Sequence, residues 1–103
     1  MKIERKESAI ESAFTRACQA EGWLVRKLAY PGRSGAPDRI VYARFPIIAL
    51  AELKRPGEDP DPIQQVEHAD IAALGHWVAV VRTEADIKDF VDLVRRLERG
   101  TRR

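Results

Sequence analysis

Apolar residues along this chain alternate between helical spacing and short continuous runs. From Glu4 to Ala20, over residues 63–74 and from Thr83 to Gly100 they recur every three or four positions, which is the period of an amphipathic helix. A glycine follows each of the first two segments as a stop signal, and the third begins with a Thr-x-x-Asp pattern similar to a capping box. The pattern predicts three helices.

Four runs rich in β-branched and aromatic residues predict strands. They are residues 23–30, 38–43, 47–53 and 76–82. The second and third runs are separated by only three residues, which suits a hairpin. A helix lies between the third and fourth runs, so these two strands are expected to be parallel with a right-handed crossover. The predicted order is α-β-β-β-α-β-α, an α/β fold with a central mixed sheet flanked by helices.

The size and composition limit the class of protein. The chain has 103 residues, enough for one small core but not two, so a single domain over 1–103 is expected. No apolar run approaches the roughly 20 residues of a membrane span, and the charged start does not resemble a signal peptide, so a cytoplasmic protein is expected. A single cysteine, Cys18, excludes an internal disulfide and a cysteine-based zinc site.

Charge is distributed unevenly, although the net charge is only +2. Residues 22–55 contain seven basic and two acidic groups, whereas residues 56–94 contain two basic and nine acidic groups. Residues 95–103 contain five arginines and one glutamate. A basic block of this kind indicates either a surface for a polyanion or a solvated face.

Both acids of the basic block fall in the predicted hairpin. With a symmetric three-residue turn, paired residues have numbers that sum to 90, so Asp38 lies opposite Glu52. Opposed Cβ atoms are about 4.5–5.5 Å apart, where two carboxylates repel unless a positive group lies between them. Side chains alternate along a strand, so Lys54 shares the face of Glu52. The hairpin thus predicts a cluster of two acids and a lysine.

Such a cluster suits metal-dependent phosphodiester chemistry. Mg²⁺ is usually held by one or two carboxylates, with water and substrate phosphate completing its coordination. The ion lowers the pKa of a bound water and neutralises charge that develops on the phosphate. The alternative is a surface ion pair of Lys54 with one of the acids, which the spacing alone does not exclude.

The surrounding residues extend this pattern. The strings are GRSGAPD at 32–38, RIV at 39–41, AELKRPG at 51–57, IESAF at 10–14, PIQ at 62–64 and VAVV at 78–81. In this order they resemble the VRR-NUC family of the PD-(D/E)xK nuclease superfamily over nearly the whole chain. The resemblance implies a restriction-endonuclease-like core, which agrees with the element order derived above.

The resemblance also implies roles for individual residues. Asp38 and Glu52 would ligate the metal together with the backbone carbonyl of Leu53. Lys54 would serve the attacking water or the transition state. Gln64, at the start of the second helix, would help to place Lys54 or the water.

An accessory acid is expected from the first helix. The resemblance assigns it to Glu11, as a direct or water-mediated metal ligand and a catalytic residue. Helical geometry alone slightly favours Glu7, because Glu11 lies at the edge of the apolar face. Both residues remain candidates, and we follow the motif in choosing Glu11.

Several basic side chains are candidate DNA contacts. Arg33 lies in the Gly- and Pro-containing loop that leads into Asp38, where it is placed to bind phosphate. Lys27 in the preceding strand and Arg55 just past the cluster are further candidates. His68 lies one helical turn after Gln64, so it would support the site, contact backbone phosphate or lie on the surface. Arg39 is expected to point away from Asp38 and to be structural.

The sequence therefore predicts a Mg²⁺- or Mn²⁺-dependent DNA endonuclease of a bacterial or phage-infected cell. The resemblance to stand-alone members of the family implies a homodimer that cuts branched DNA such as four-way junctions. Two alternatives belong to other classes: a non-catalytic nucleic-acid-binding module on the same fold, and a protein-interaction domain whose acidic block binds a basic partner.

Overall fold

The structure, a computed structural model, describes the backbone of residues 4–101 and the side chains of residues 9–101. Its elements are α1 (Glu4–Ala20), β1 (Leu24–Lys27), β2 (Arg39–Tyr42), β3 (Ile48–Leu53), α2 (Pro62–Ala73), β4 (Trp77–Val81) and α3 (Glu84–Thr101). The predicted order is confirmed, and every predicted element is present. The strands are shorter than predicted, most of all β1, which ends three residues early.

The four strands form one mixed sheet in the order β1-β2-β3-β4. The first three are antiparallel, and β4 is parallel to β3, as predicted for the strand–helix–strand unit. In the hairpin, Tyr42 pairs with Ile48 and Arg39 with Ala51, so the predicted register is confirmed. This register fixes which side chains share a face of the sheet.

One face of the sheet is covered by α1 and α3 and holds the core. Its buried apolar side chains alternate along the strands and meet those of the two helices. They are Phe14, Cys18, Trp23, Val25, Val41, Ile47, Ala49, Ala51, Leu53, Val81, Ile87, Phe90, Val91 and Val94. Phe14 and Phe90 join the two helices edge to face, with ring centroids 5.0 Å apart. Burial raises the pKa of the Cys18 thiol to about 12, so Cys18 is an inert part of this core.

A buried carboxylate ties α3 to the start of β1 and to the hairpin. Glu98 Oε2 accepts hydrogen bonds from the Trp23 indole (2.8 Å), the Arg44 backbone N–H (2.8 Å) and the Arg44 guanidinium (3.2 Å). Burial acts to raise the pKa of Glu98, but the bonds from Arg44 and Trp23 outweigh it and lower this pKa. Glu98 is therefore a satisfied structural charge.

The Thr83 and Asp86 pattern forms only half of the expected capping box. Asp86 N donates to Thr83 Oγ1 over 3.1 Å, as predicted. The Asp86 carboxylate, however, accepts from Arg82 N at 2.8 Å instead of from Thr83 N. The start of α3 is thereby fixed to the end of β4.

The apolar positions of α2 do not form a buried face. No residue of α2 is buried, and Val66 and Leu74 are 63% and 80% exposed. Periodicity predicts that Ile63, Val66, Ile71 and Leu74 lie roughly on one face of the helix. The helix instead turns polar side chains toward the sheet, as described below. In the part of the chain that the structure describes, no helix has the length and hydropathy of a membrane span.

Candidate active site

The end of the hairpin brings two carboxylates together, as the register predicts. Asp38 immediately precedes β2, and Glu52 lies next to the last residue of β3. Asp38 Oδ2 accepts a hydrogen bond of 2.8 Å from the backbone N–H of Leu53. This bond fixes the Asp38 carboxylate beside the end of β3.

Glu52 is buried among polar groups, with 1% of its surface exposed. Its Oε2 accepts a 2.8 Å hydrogen bond from Gln64 Nε2 and lies 3.8 Å from Lys54 Nζ. Its Oε1 lies 3.6 Å from His68 Nε2, beyond hydrogen-bond distance. Neither Oε1 nor Nε2 has a hydrogen-bond partner among the described residues. The site thus contains a buried carboxylate oxygen to which no side chain or backbone group of the described residues donates a hydrogen bond.

Burial and charge make Glu52 hard to ionise. Burial, and then the negative charge of Asp38, raise its pKa to about 7, against the opposing influence of Lys54 and the Gln64 hydrogen bond. Burial also lowers the pKa of His68, which favours the neutral imidazole. A cation between the carboxylates would reverse the balance at Glu52, because it favours the charged form.

The donor set fits a hard divalent cation. Asp38, Glu52 and the Leu53 carbonyl offer oxygen ligands, and the unsatisfied Glu52 Oε1 is a ligand without a competing donor. Among residues 9–101, no group of three or more His, Cys, Asp or Glu side chains is arranged to hold a metal ion. Two carboxylates suit Mg²⁺ or Mn²⁺, which retain water and bind substrate phosphate, better than a cation that needs a complete protein cage.

Gln64 is fixed at both ends of its amide. Its Oε1 accepts from the backbone N–H of Asp61, the residue that caps α2, while its Nε2 donates to Glu52. We expected Gln64 to help place Lys54 or a water, but its described contact in the site is with Glu52. Gln64 therefore orients the carboxylate, and the cap of α2 orients Gln64.

The described ion pair of Glu11 is with Arg39, the residue after Asp38. Its Oε1 lies 3.6 Å from Arg39 Nη2, and Arg39 also donates to the Asp38 carbonyl at 3.1 Å. Arg39 is buried and points away from the Asp38 side chain, as predicted. The side chain of Glu7, the other candidate, lies outside the described residues.

The four predicted DNA contacts lie at different positions relative to the carboxylates. Arg33 lies in the loop before Asp38 and is paired with Glu67 at 3.0 Å. Arg55 lies just past the cluster and is paired with Glu58 at 2.8 Å. Lys27 is exposed, but it pairs with Arg39 across the sheet and so shares the face turned away from the carboxylates. His68 lies against Glu52 instead of on the surface, which favours the supporting role.

Two polar residues near the site were not singled out from the sequence. Tyr30 ends the predicted first strand, and Glu67 lies beside His68 in α2, where it accepts hydrogen bonds from both Tyr30 and Arg33. The available signal was weak: Glu67 lies one helical turn after Ile63, on the row next to Gln64 and His68. The contact itself depends on where the loop lies on α2.

Comparisons of the sequence and the fold with known proteins relate the chain to a family of nucleases. No family model matches the chain. Over 79 residues it is 39% identical to "Putative nuclease p44" of Acyrthosiphon pisum secondary endosymbiont phage 1, a match that covers 77% of this chain and 85% of that protein. A solved structure described as "VRR_NUC domain" has a TM-score of 0.81 and 35% identity, and the match covers 84% of this chain and 95% of that chain. The chain thus belongs to the VRR-NUC family of nucleases.

Proposed function

We propose that the chain is a single-domain, Mg²⁺- or Mn²⁺-dependent DNA endonuclease. The observation that carries this proposal is the buried Glu52 carboxylate beside Asp38, with an unsatisfied oxygen and the Lys54 ammonium 3.8 Å from the other. A buried acid next to a second acid is unfavourable for the apoprotein, and a divalent cation removes the conflict.

Each residue of the cluster has a defined task. Asp38, Glu52 and the Leu53 carbonyl would hold the cation, which would supply an activated water and neutralise charge on the phosphate. Lys54 binds the attacking water or the phosphate oxygen that gains charge. Gln64 and His68 keep the Glu52 carboxylate in place.

We retain Glu11 as the proposed accessory acid. This role requires its carboxylate to exchange the Arg39 guanidinium, 3.6 Å away, for the cation or one of its waters. The Glu11 side chain is partly exposed, so solvent reaches its carboxylate.

Positive charge supports DNA as the substrate. The two acids of the basic segment 22–55 are both assigned to the cation, and its basic groups other than the structural Arg39 and Arg44 are left to attract phosphate. Among them Arg33 and Arg55 flank the cluster and are proposed contacts, with Lys27 at the edge of the sheet and His68 as a further candidate. The phage relative is consistent with action in the cytoplasm of a bacterial or phage-infected cell.

Cleavage of a panel of labelled DNAs tests this proposal. We expect product from four-way junctions with Mg²⁺ or Mn²⁺, less from flaps and linear duplexes, and none with EDTA, because the carboxylates alone cannot activate water. Product that is equal in EDTA would contradict metal dependence. Salt-sensitive binding in Ca²⁺ without cleavage of any DNA would instead indicate a non-catalytic binding module, and absence of binding at low salt would favour the protein-interaction alternative.

We further propose a homodimer, which the exposed apolar side of α2 supports. Val66 and Leu74 lie on that side and are largely solvent-exposed in the single chain. We expect light scattering to give twice the mass of the chain, and V66E/L74E to give the monomer mass. F45E is the matched control, because Phe45 is 96% exposed but lies in the hairpin turn. A monomeric wild type, or a dimer that survives V66E/L74E, would contradict this surface.

A further inference from the structure

The loop of residues 31–37, which carries Arg33, is held against α2 by one carboxylate. Glu67 Oε2 accepts a 2.9 Å hydrogen bond from the Tyr30 hydroxyl, just before the loop. Glu67 Oε1 accepts a 3.0 Å hydrogen bond from Arg33 Nη2, within the loop. Both oxygens of Glu67 are therefore engaged by the loop and its leading residue. The bond from Arg33, followed by that from Tyr30, keeps the pKa of Glu67 below its usual value, so the carboxylate is charged at neutral pH.

The backbone of the loop also lies directly on α2. Gly35 has φ of +100°, and a Cβ at this position would lie 3.1 Å from the Ile63 carbonyl oxygen and 3.4 Å from Glu67 Cβ. Only glycine meets both conditions without strain. The loop thus packs closely against the helix at Ile63 and Glu67.

The same helix holds the carboxylate pair. Gln64 and His68, four residues apart, face Glu52, while Ile63 and Glu67, also four residues apart, face the loop. Side chains at this spacing lie above one another on a helix, so the two contacts form neighbouring rows. A rigid helix therefore sets the position of Arg33 relative to Glu52.

We propose that Glu67 is a positioning residue that holds the Arg33 guanidinium where it binds a phosphate of the DNA beside the metal site. This inference rests on the proposed nuclease function. Arg33 is 66% exposed and uses only Nη2 toward Glu67 among the described residues, so Nη1 and Nε remain for a phosphate oxygen. Because the Arg33 side chain is already ordered by Glu67, it binds and positions the scissile phosphate at a smaller cost in conformational entropy.

The opposite possibility is that Glu67 competes with phosphate for Arg33 and restrains the enzyme. Removal of the carboxylate would then strengthen DNA binding and preserve or accelerate cleavage. Loss of the carboxylate slows cleavage under the first idea and leaves it unchanged or faster under the second, so one kinetic experiment separates them.

The experiment measures single-turnover cleavage of a DNA that the wild type cuts, with protein in saturating excess and Mg²⁺ present. We expect E67Q to slow cleavage by about 5- to 20-fold, because a neutral amide lacks the negative charge that pairs with the Arg33 guanidinium and so holds it less firmly. The R33A/E67Q double variant should be no slower than R33A alone, since Glu67 acts through Arg33. D89N is the control: it removes an exposed negative charge from α3, on the other side of the sheet, and should cleave at the wild-type rate.

Each outcome is decisive. Wild-type or faster cleavage by E67Q, with tighter DNA binding in Ca²⁺, would establish the restraining role and overturn ours. Independent, multiplicative losses in the double variant would show that Glu67 only stabilises the fold and would also overturn it. A wild type that cleaves no DNA would refute the proposed nuclease function first, and this inference with it.

Discussion

Replacement of Asp38 by asparagine is expected to lower DNA cleavage by about 1,000-fold or more at saturating Mg²⁺. Asparagine retains an oxygen that can accept the 2.8 Å hydrogen bond from Leu53 N, so the end of the hairpin should keep its geometry. The substitution removes the negative charge of Asp38, which would bind the cation. Cleavage of a labelled junction under single-turnover conditions measures the loss, and thermal unfolding confirms that the variant is folded.

The D89N variant is the matched control for this experiment. Asp89 is exposed on α3, on the other side of the sheet from the carboxylates, and its replacement changes the net charge by the same amount. We expect its cleavage rate to stay within about twofold of wild type, as for surface substitutions away from a site. Comparable cleavage by D38N and D89N would refute the assignment of Asp38 to the metal.

Replacement of Glu52 by glutamine is expected to abolish cleavage and yet stabilise the metal-free protein at pH 8. The wild-type carboxyl is buried beside Asp38, and its pKa is raised to about 7, so ionisation above pH 7 opposes folding. A neutral glutamine avoids this cost, and its amide can donate to the unsatisfied His68 Nε2. We expect a gain on the order of 2 kcal/mol, or about 10 °C in Tm, measured in EDTA.

The gain in stability of E52Q over wild type is expected to grow as the pH rises. A carboxyl whose pKa is higher in the folded than in the unfolded chain contributes stability at low pH, and this is lost as the pH rises through the folded value, here about 7. The difference between E52Q and wild type should therefore be largest at pH 8 and shrink at pH 5. Mg²⁺ should raise the Tm of wild type but not of E52Q. A gain that is equal at both pH values, or destabilisation at pH 8, would contradict the burial of an unfavourable charge.

The hairpin shows why part of the site was predictable from the chain. Its turn has three residues, which leaves one simple register, and side-chain alternation then puts Lys54 with Glu52 and Arg39 on the other face. These are local constraints between residues close in sequence. For α2, apolar periodicity indicated only which residues share a face, and the structure leaves Val66 and Leu74 of that face exposed.

The reason is that periodicity states which residues share a face, but not which face meets the sheet. In α2 this is decided by Gln64, Glu67 and His68, whose partners Glu52, Tyr30 and Arg33 lie far away in sequence. The partner of Glu11 is likewise set by the tertiary structure: its carboxylate lies 3.6 Å from the Arg39 guanidinium. Contacts of this kind depend on how layers pack, which no local pattern encodes.

The sequence by itself determined the order of elements, the hairpin register and the opposed pair of Asp38 and Glu52, because turn length and side-chain alternation act over a few residues. Only the tertiary structure decided that Glu52 is buried with an unsatisfied oxygen, that His68 faces it, and that Glu67 holds the arginine-bearing loop. Burial is a property of the packed chain, and burial is what raises the pKa of Glu52 and makes this surplus of negative charge a place for a cation.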